Sequence, residues 1–277
     1  MPRARNGSVE LEYETFGDPR AAAVLLINGL GSQMTRWPAE FCTGLAARGF
    51  RPIRFDNRDV GLSNWCADED RYTLADMARD GMAVLDAAGV SRAHVAGVSL
   101  GGMIAQRIAI DHPQRTLSLT SIMSATGDPQ VHRSTPEAVA VQRAPDPDPQ
   151  ADFEAFVAHG MNKARVIGSP GYPWPEDELR ARVIAEWRRA YNPAGALRQR
   201  KAALRDGDRT PALGRLGAPT VVLHGTDDPL VLPEGGIATA NAIPGAELRL
   251  IPGMGHDLPP GLHATFIDAI VAAAARA

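Results

Sequence analysis

Short runs of Val, Leu and Ile recur along this chain, and helical patterns fill the intervals between them. The runs fall near 23–28, 51–56, 92–98, 118–124, 219–224 and 246–251. Helical spacing appears near 37–48, 73–88, 100–112, 234–242 and 261–275. A strand apolar on both sides must be covered on both faces, and a helix between two such strands supplies the crossover that parallel pairing needs. The alternation predicts an α/β chain with a mostly parallel, twisted sheet and helices on both faces. Residues 8–16 alternate as an antiparallel edge strand would.

One strand run, Ala93-His94-Val95-Ala96, ends in Gly97-Val98-Ser99-Leu100-Gly101. A serine on a sharp strand-to-helix turn holds its hydroxyl clear above the sheet. Small residues two before and two after it let strand and helix cross closely. Ser99 would also head a helix, whose N-terminal dipole favours a developing oxyanion. The same pentapeptide arises as a tight turn around a hydrogen-bonded core serine, so its partners decide between the two. Downstream, the run at 220–225 leads into Thr226-Asp227-Asp228-Pro229. The run at 248–251 leads into Pro252-Gly253-Met254-Gly255-His256. Asp228 and His256 thus follow strand ends, at the edge where open parallel sheets bind ligands. A serine nucleophile needs a base, and an acid that orients the base.

With Ser, Asp and His in this chain order, the sequence resembles the α/β-hydrolases over nearly its whole length. Val24-Leu25-Leu26-Ile27 followed by Asn28-Gly29-Leu30-Gly31 is similar to the family's oxyanion loop, with Asn28 where His is usual. The segment 56–63 resembles the family's loop after its next strand. Gly31, Trp37-Pro38, Phe41, Arg54-Phe55-Asp56 and Gly253-Met254-Gly255-His256 are similar to the subgroup that contains aclacinomycin methylesterase. The resemblance implies Ser99 as nucleophile, His256 as base and Asp228 as acid. It implies the amides of Leu30 and Leu100 as oxyanion donors. Because those donors are backbone groups, Asn28 need not abolish the hole. Asp228 is preferred over Asp227 because it directly precedes Pro229, as the family's acid does. Asp128 is the alternative, after the earlier strand. His224, His263, His94 and His112 do not sit in a Gly-rich loop after the last strand, as His256 does.

The interval from Gly127 to Leu213 lacks strand patterns. Its start is rich in Pro and suits a linker, whereas 152–168 and 176–205 keep apolar residues at helical spacing. An insertion after the sixth strand is where the α/β-hydrolase fold carries a helical cap. The expected division is a core of 1–126 and 214–277 with a cap of 127–213. Gly29, Trp174 and Trp187 are the candidate substrate-binding residues. Trp174, between Pro173 and Pro175, either points into the cleft or packs under its own loop, and the second arrangement is commoner. Eight basic residues and one acid, Glu186, fall between Arg180 and Arg205 and read as a solvated helix face. The insertion holds 13 basic and 12 acidic residues, which gives no reason to expect a charged substrate.

A net charge of −3 supplies no field for nucleic acid or anionic lipid. No apolar run approaches the ~20 residues of a membrane span. The opening residues join no charged region to an apolar one, which argues against a signal peptide and for a cytoplasmic location. Cys42 and Cys66 lack metal-ligand spacing, and no His pattern suits zinc. Neither a metal nor another cofactor is expected. Ser at position 99 excludes the chemistry of family members with a carboxylate nucleophile. The expected activity is hydrolysis of neutral carboxylic esters, with a small-molecule ester as substrate and neither nucleic acid nor membrane as partner. The alternatives are a lactonase or methylesterase acting on a polyketide-like scaffold and, in a different class, a non-catalytic ligand receptor built on this fold.

Overall fold

A computed structural model describes residues 2–67, 71–131 and 133–277. Among the described residues, eight strands form one sheet. They are β1 (Arg3–Asn6), β2 (Val9–Thr15), β3 (Ala22–Ile27), β4 (Phe50–Phe55), β5 (Ala93–Val98), β6 (Thr116–Ile122), β7 (Thr220–Gly225) and β8 (Glu247–Ile251). Their order is β1-β2-β4-β3-β5-β6-β7-β8. The β1–β2 and β2–β4 pairs are antiparallel, and every later pair is parallel. Helices α1 (Ala39–Ala47), α2 (Leu74–Ala87) and α3 (Leu100–Asp111) precede β6. Between β6 and β7 lie α4 (Pro136–Arg143), α5 (Phe153–Ile167), α6 (Glu176–Arg189), α7 (Pro193–Asp206) and the short α8 (Thr210–Leu213). Helices α9 (Pro233–Ala242) and α10 (His263–Ala274) flank β8. This is the α/β-hydrolase architecture.

The period of two along each strand explains why both faces need cover. Leu25, Ile27 and Val95 face one side and pack with Met77 and Leu85 of α2 and Ile104 and Ile108 of α3. Val24, Leu26, Ala96 and Val98 face the other, against Phe41 and Leu45 of α1 and Phe266 and Ile270 of α10. The predicted strands and helices recur within a few residues of their expected bounds. Strand β1 was not expected: it reads Arg-Ala-Arg-Asn and buries only Ala4. Tertiary partners hold it. Gly7 turns the chain at φ +61°, and Arg3 pairs with Glu10 at 3.0 Å and Glu12 at 3.1 Å across the hairpin.

Two features of the segment between β6 and β7 differ from the sequence expectation. The Pro-rich entry is not all linker. Thr135 Oγ1 accepts from Ala138 N at 3.2 Å with Pro136 next in line, and this start signal launches α4. The basic stripe is not a purely solvated face either. Arg189 Nη2 lies 2.8 Å from Asp56 Oδ2, and Arg198 Nη2 lies 2.8 Å from Asp59 Oδ1. Both carboxylates are fully buried. A buried carboxylate needs a cation or several donors, and the helices supply guanidinium groups. Phe156, Val157, Met161 and Leu179 form a small core of their own, with Trp174, Trp187 and Tyr191 packed around it. Among the described residues, no helix is long and apolar enough to cross a membrane.

Candidate active site

The sheet order reverses at β3, which has β4 on one side and β5 on the other. A crevice opens at such a switch point, outside the carboxyl ends of the strands. The loop after β3 and the turn after β5 therefore meet. Ser99 sits on that turn with φ +55° and ψ −121°, a conformation rare for any residue with a side chain. The surroundings fix it. Ser99 N donates to Ile122 O at 2.9 Å, and Ser124 Oγ donates to Ser99 O at 2.8 Å. A Cβ on Gly97 would stand 2.0 Å from Gly101 O, so strand and helix cross too closely for any side chain there.

His256, in the loop after β8, brings its Nε2 to 2.9 Å from Ser99 Oγ. Its Nδ1 lies 2.7 Å from Asp228 Oδ2, in the loop after β7. An ionised carboxylate only accepts, so Nδ1 carries the proton and Nε2 is free to accept from the serine hydroxyl. Asp228 is 2% exposed and its Oδ1 accepts from Leu230 N and Val231 N, each at 2.9 Å. Burial works to raise the Asp228 carboxyl, but the adjacent His256 and the hydrogen bonds from His224 and His256 outweigh it and hold it far below the usual carboxylate range. Asp227 instead bonds Thr226 Oγ1 and Gly253 N on the surface, and Asp128 accepts from Gln130 N. Neither touches His256.

Sequence reasoning set His224 aside, yet it is part of this cluster. Its Nε2 donates to Val231 O at 2.8 Å and lies 3.4 Å from Asp228 Oδ2. Its position four residues before Asp228, at the end of the strand, was the only available signal.

Gly29 follows β3 and faces Ser99: a Cβ there would lie 3.3 Å from Ser99 Cβ. The amides of Leu30 and Leu100 donate to no acceptor among the described residues. Leu100 is the first residue of α3, so its N–H has no intrahelical partner. The glycine-rich loop is tied from above, where Gln199 Oε1 of α7 accepts from Gly31 N at 2.9 Å. Asn28, in place of the usual His, spans to the neighbouring strand end by donating to Phe55 O at 3.3 Å. Its Oδ1 is buried without a partner.

Ser99 and His256 open into a cavity of about 560 Å³ roofed by α5, α6 and the loop between them. Trp174 and Trp187 both line it. Trp174 is also anchored, its Nε1 donating to Asp257 Oδ2 at 2.9 Å. Asp257 further accepts from Ser169 Oγ, and Ser169 Oγ accepts from Gly255 N at 2.9 Å. His256 N donates to Ile167 O at 2.6 Å. The α5–α6 loop is thus bonded directly to the loop that carries His256. Among the described residues, no cluster of three His, Cys, Asp or Glu side chains is arranged to hold a metal ion.

A serine, an imidazole and a buried carboxylate in hydrogen-bonding sequence at the carboxyl edge of a parallel sheet mark a hydrolase. The chain belongs to the alpha/beta hydrolase fold family, whose model matches residues 22–259. It is 32% identical to the rhodomycin D methylesterase of Streptomyces peucetius, over 96% of this chain and 95% of that one. It is also 32% identical to a putative carbamate hydrolase of Variovorax paradoxus, over 89% of each chain. The enol-lactonase of Burkholderia xenovorans superposes with a TM-score of 0.75 at 22% identity, covering 98% of this chain and 99% of that one. That last likeness concerns the fold alone.

Proposed function

We propose that this hydrolase cleaves carboxylic esters through a covalent acyl-enzyme on Ser99. The observation that carries the reading is the continuous chain Ser99 Oγ, His256 Nε2, His256 Nδ1, Asp228 Oδ2, with contacts of 2.9 and 2.7 Å. Ser99 Oγ attacks the ester carbonyl while His256 Nε2 takes its proton. The carbonyl oxygen becomes an oxyanion and accepts from the amides of Leu30 and Leu100. The tetrahedral species collapses, and His256 returns the proton to the leaving alcohol. Water then attacks the acyl-enzyme, with His256 again as base, and Ser99 is released with the acid product. Asp228 keeps the imidazole in the tautomer that each step requires. No step calls on a metal or another cofactor.

The cavity wall supports neutral esters as the main substrates. It carries Arg36, Lys163 and Arg182 against Asp146, Glu186 and Asp257, with no net excess. A polyketide-like methyl ester is the sharper reading. The extended similarity to a rhodomycin D methylesterase and the size of the cavity favour it over small lactones. A receptor without catalysis has no use for the complete Ser-His-Asp chain. The proposal includes a cap of 127–213 over a core of 1–126 and 214–277. It also includes a cytoplasmic location, where Cys42 and Cys66, not joined in a disulfide, stay reduced.

The test is a panel of p-nitrophenyl esters from acetate to palmitate, bulky methyl esters and lactones, assayed with the wild type and Ser99→Ala. Ester turnover that falls at least ~10³-fold in the variant supports the reading. Turnover that survives in Ser99→Ala, or that is confined to lactones, overturns it.

A further inference from the structure

Among the described residues lining the cavity above Ser99, one cation has donors with no protein acceptor. Arg182 of α6 lines the cavity, and its guanidinium lies over the Trp174 ring, 4.4 Å from the ring centroid. Among the described residues it makes no hydrogen bond and no ion pair, and its Nε is buried without a partner. The lack of a partner has a structural cause. Glu186 stands four residues on, the position from which a helical carboxylate ordinarily pairs with an arginine. Here Arg36 takes Glu186 instead, with Arg36 Nη2 3.0 Å from Glu186 Oε2. Asp257, the other carboxylate acting on Arg182, is occupied by Ser169 Oγ and Trp174 Nε1. Burial, with Arg36 nearby, pushes the Arg182 guanidinium down to about 10. Arg182 is half-buried, its Nε is buried without a partner and its terminal nitrogens find no protein acceptor, so its natural complement is a ligand in the cavity.

The geometry restricts that ligand. A guanidinium seated over an indole ring has one side covered by it, and its N–H groups lie in its own plane. A fork of parallel donors matches two coplanar oxygens. Trp174 is in turn fixed by Asp257, the residue after His256, so the fork is held in a defined relation to the reacting centre.

We propose that Arg182 is a specificity-determining residue that receives a planar pair of oxygen acceptors at the end of the ester substrate remote from the scissile bond. The inference rests on the ester-hydrolase reading and adds the chemistry of the far end of the substrate. Either a carboxylate or a neutral oxygen pair supplies that chemistry.

The experiment compares three series of methyl esters with matched chain lengths. One ends in a carboxylate, as the monomethyl esters from succinate to suberate. One ends in a nitro group, the neutral planar isostere. One ends in methyl. The quantity read is the ratio of kcat/KM for an acceptor-bearing ester to that for the methyl-terminated ester of the same length. Because both values come from one protein preparation, a partly unfolded variant leaves the ratio unchanged. The wild type is expected to show a ratio of about tenfold or more at one chain length, from two hydrogen bonds to a charged donor. Arg182→Met should bring that ratio close to one. Arg182→Lys, which keeps the charge without the fork, should fall between. A preference limited to the carboxylate series identifies an anionic group, and a preference shared by the nitro series identifies the oxygen pair itself. A wild-type ratio near one in both series overturns the inference, as does a ratio that persists in Arg182→Met. Absence of turnover in all three series would instead count against the ester-hydrolase reading.

Discussion

Replacing Asp228 by Asn exchanges one acceptor oxygen for a donor at the point where the whole site is oriented. In the wild type the carboxylate accepts from Leu230 N, Val231 N and His256 Nδ1, with His224 Nε2 at 3.4 Å. The Asn oxygen can keep the two backbone donors. Its NH₂ then faces His256 Nδ1, which must become the acceptor. The imidazole proton moves to Nε2 and points at Ser99 Oγ, so the base is lost while every atom stays close to its place. Loss of this kind amounts to ~10⁴-fold in kcat, about 5 kcal/mol. The fold should survive the substitution, because the Asn oxygen keeps the Leu230 and Val231 amides and His224 retains Val231 O. The sign of the pH effect follows from the depressed Asp228 carboxyl. Its stabilising contribution is complete above the unfolded value near ~3.9 and is lost as pH falls through the lower folded value. The melting temperatures of wild type and variant should therefore differ most at neutral pH and converge in strong acid. Steady-state kinetics on one p-nitrophenyl ester, with thermal unfolding measured from neutral to acid pH, provides the assay. The argument fails if Asp228→Asn keeps kcat within tenfold, or if Asp128→Asn or Asp227→Asn is the inactive variant.

Gly97→Ala should lower stability by about 3 kcal/mol or more, since its Cβ would stand 2.0 Å from Gly101 O; denaturant unfolding checks this. Arg198→Met leaves the fully buried Asp59 without its guanidinium, a loss of about 3–5 kcal/mol. At roughly 2–4 °C per kcal/mol for a chain of this size, its melting temperature should drop by roughly 6–20 °C. Limited proteolysis should nick first between 128 and 150 and leave the sheet intact; early cleavage within 219–256 would contradict the proposed cap.

The sheet was legible because the central parallel strands carry runs of Val, Leu, Ile and Ala covered on both faces, and that pattern survives in one sequence. The Ser99, Asp228 and His256 positions were legible for a related reason: each follows a strand, and the strand order brings the ends together. What escaped depends on pairings that sequence distance conceals. Strand β1 has no apolar pattern and exists because Arg3 finds Glu10 and Glu12. Arg189 and Arg198 looked like surface charge because their partners, Asp56 and Asp59, lie more than a hundred residues away. The place of His224 beside Asp228 depends on how the chain turns back after β7 to bring in Val231. Trp174 was ambiguous between cleft and loop. It does both, lining the cavity while bonded to Asp257.

The central claim is that Ser99 is a hydroxyl made nucleophilic by His256. Treatment with a fluorophosphonate tests it without a choice of substrate: the activated oxygen attacks phosphorus, fluoride leaves, and the phosphonyl group stays bonded to the serine. Peptide mass spectrometry of the labelled protein should find the adduct on the peptide that contains Ser99. Labelling should disappear in Ser99→Ala and fall at least ~10³-fold in rate in His256→Ala. Labelling at another serine, or labelling of the folded protein at equal rate with His256 removed, would contradict the account.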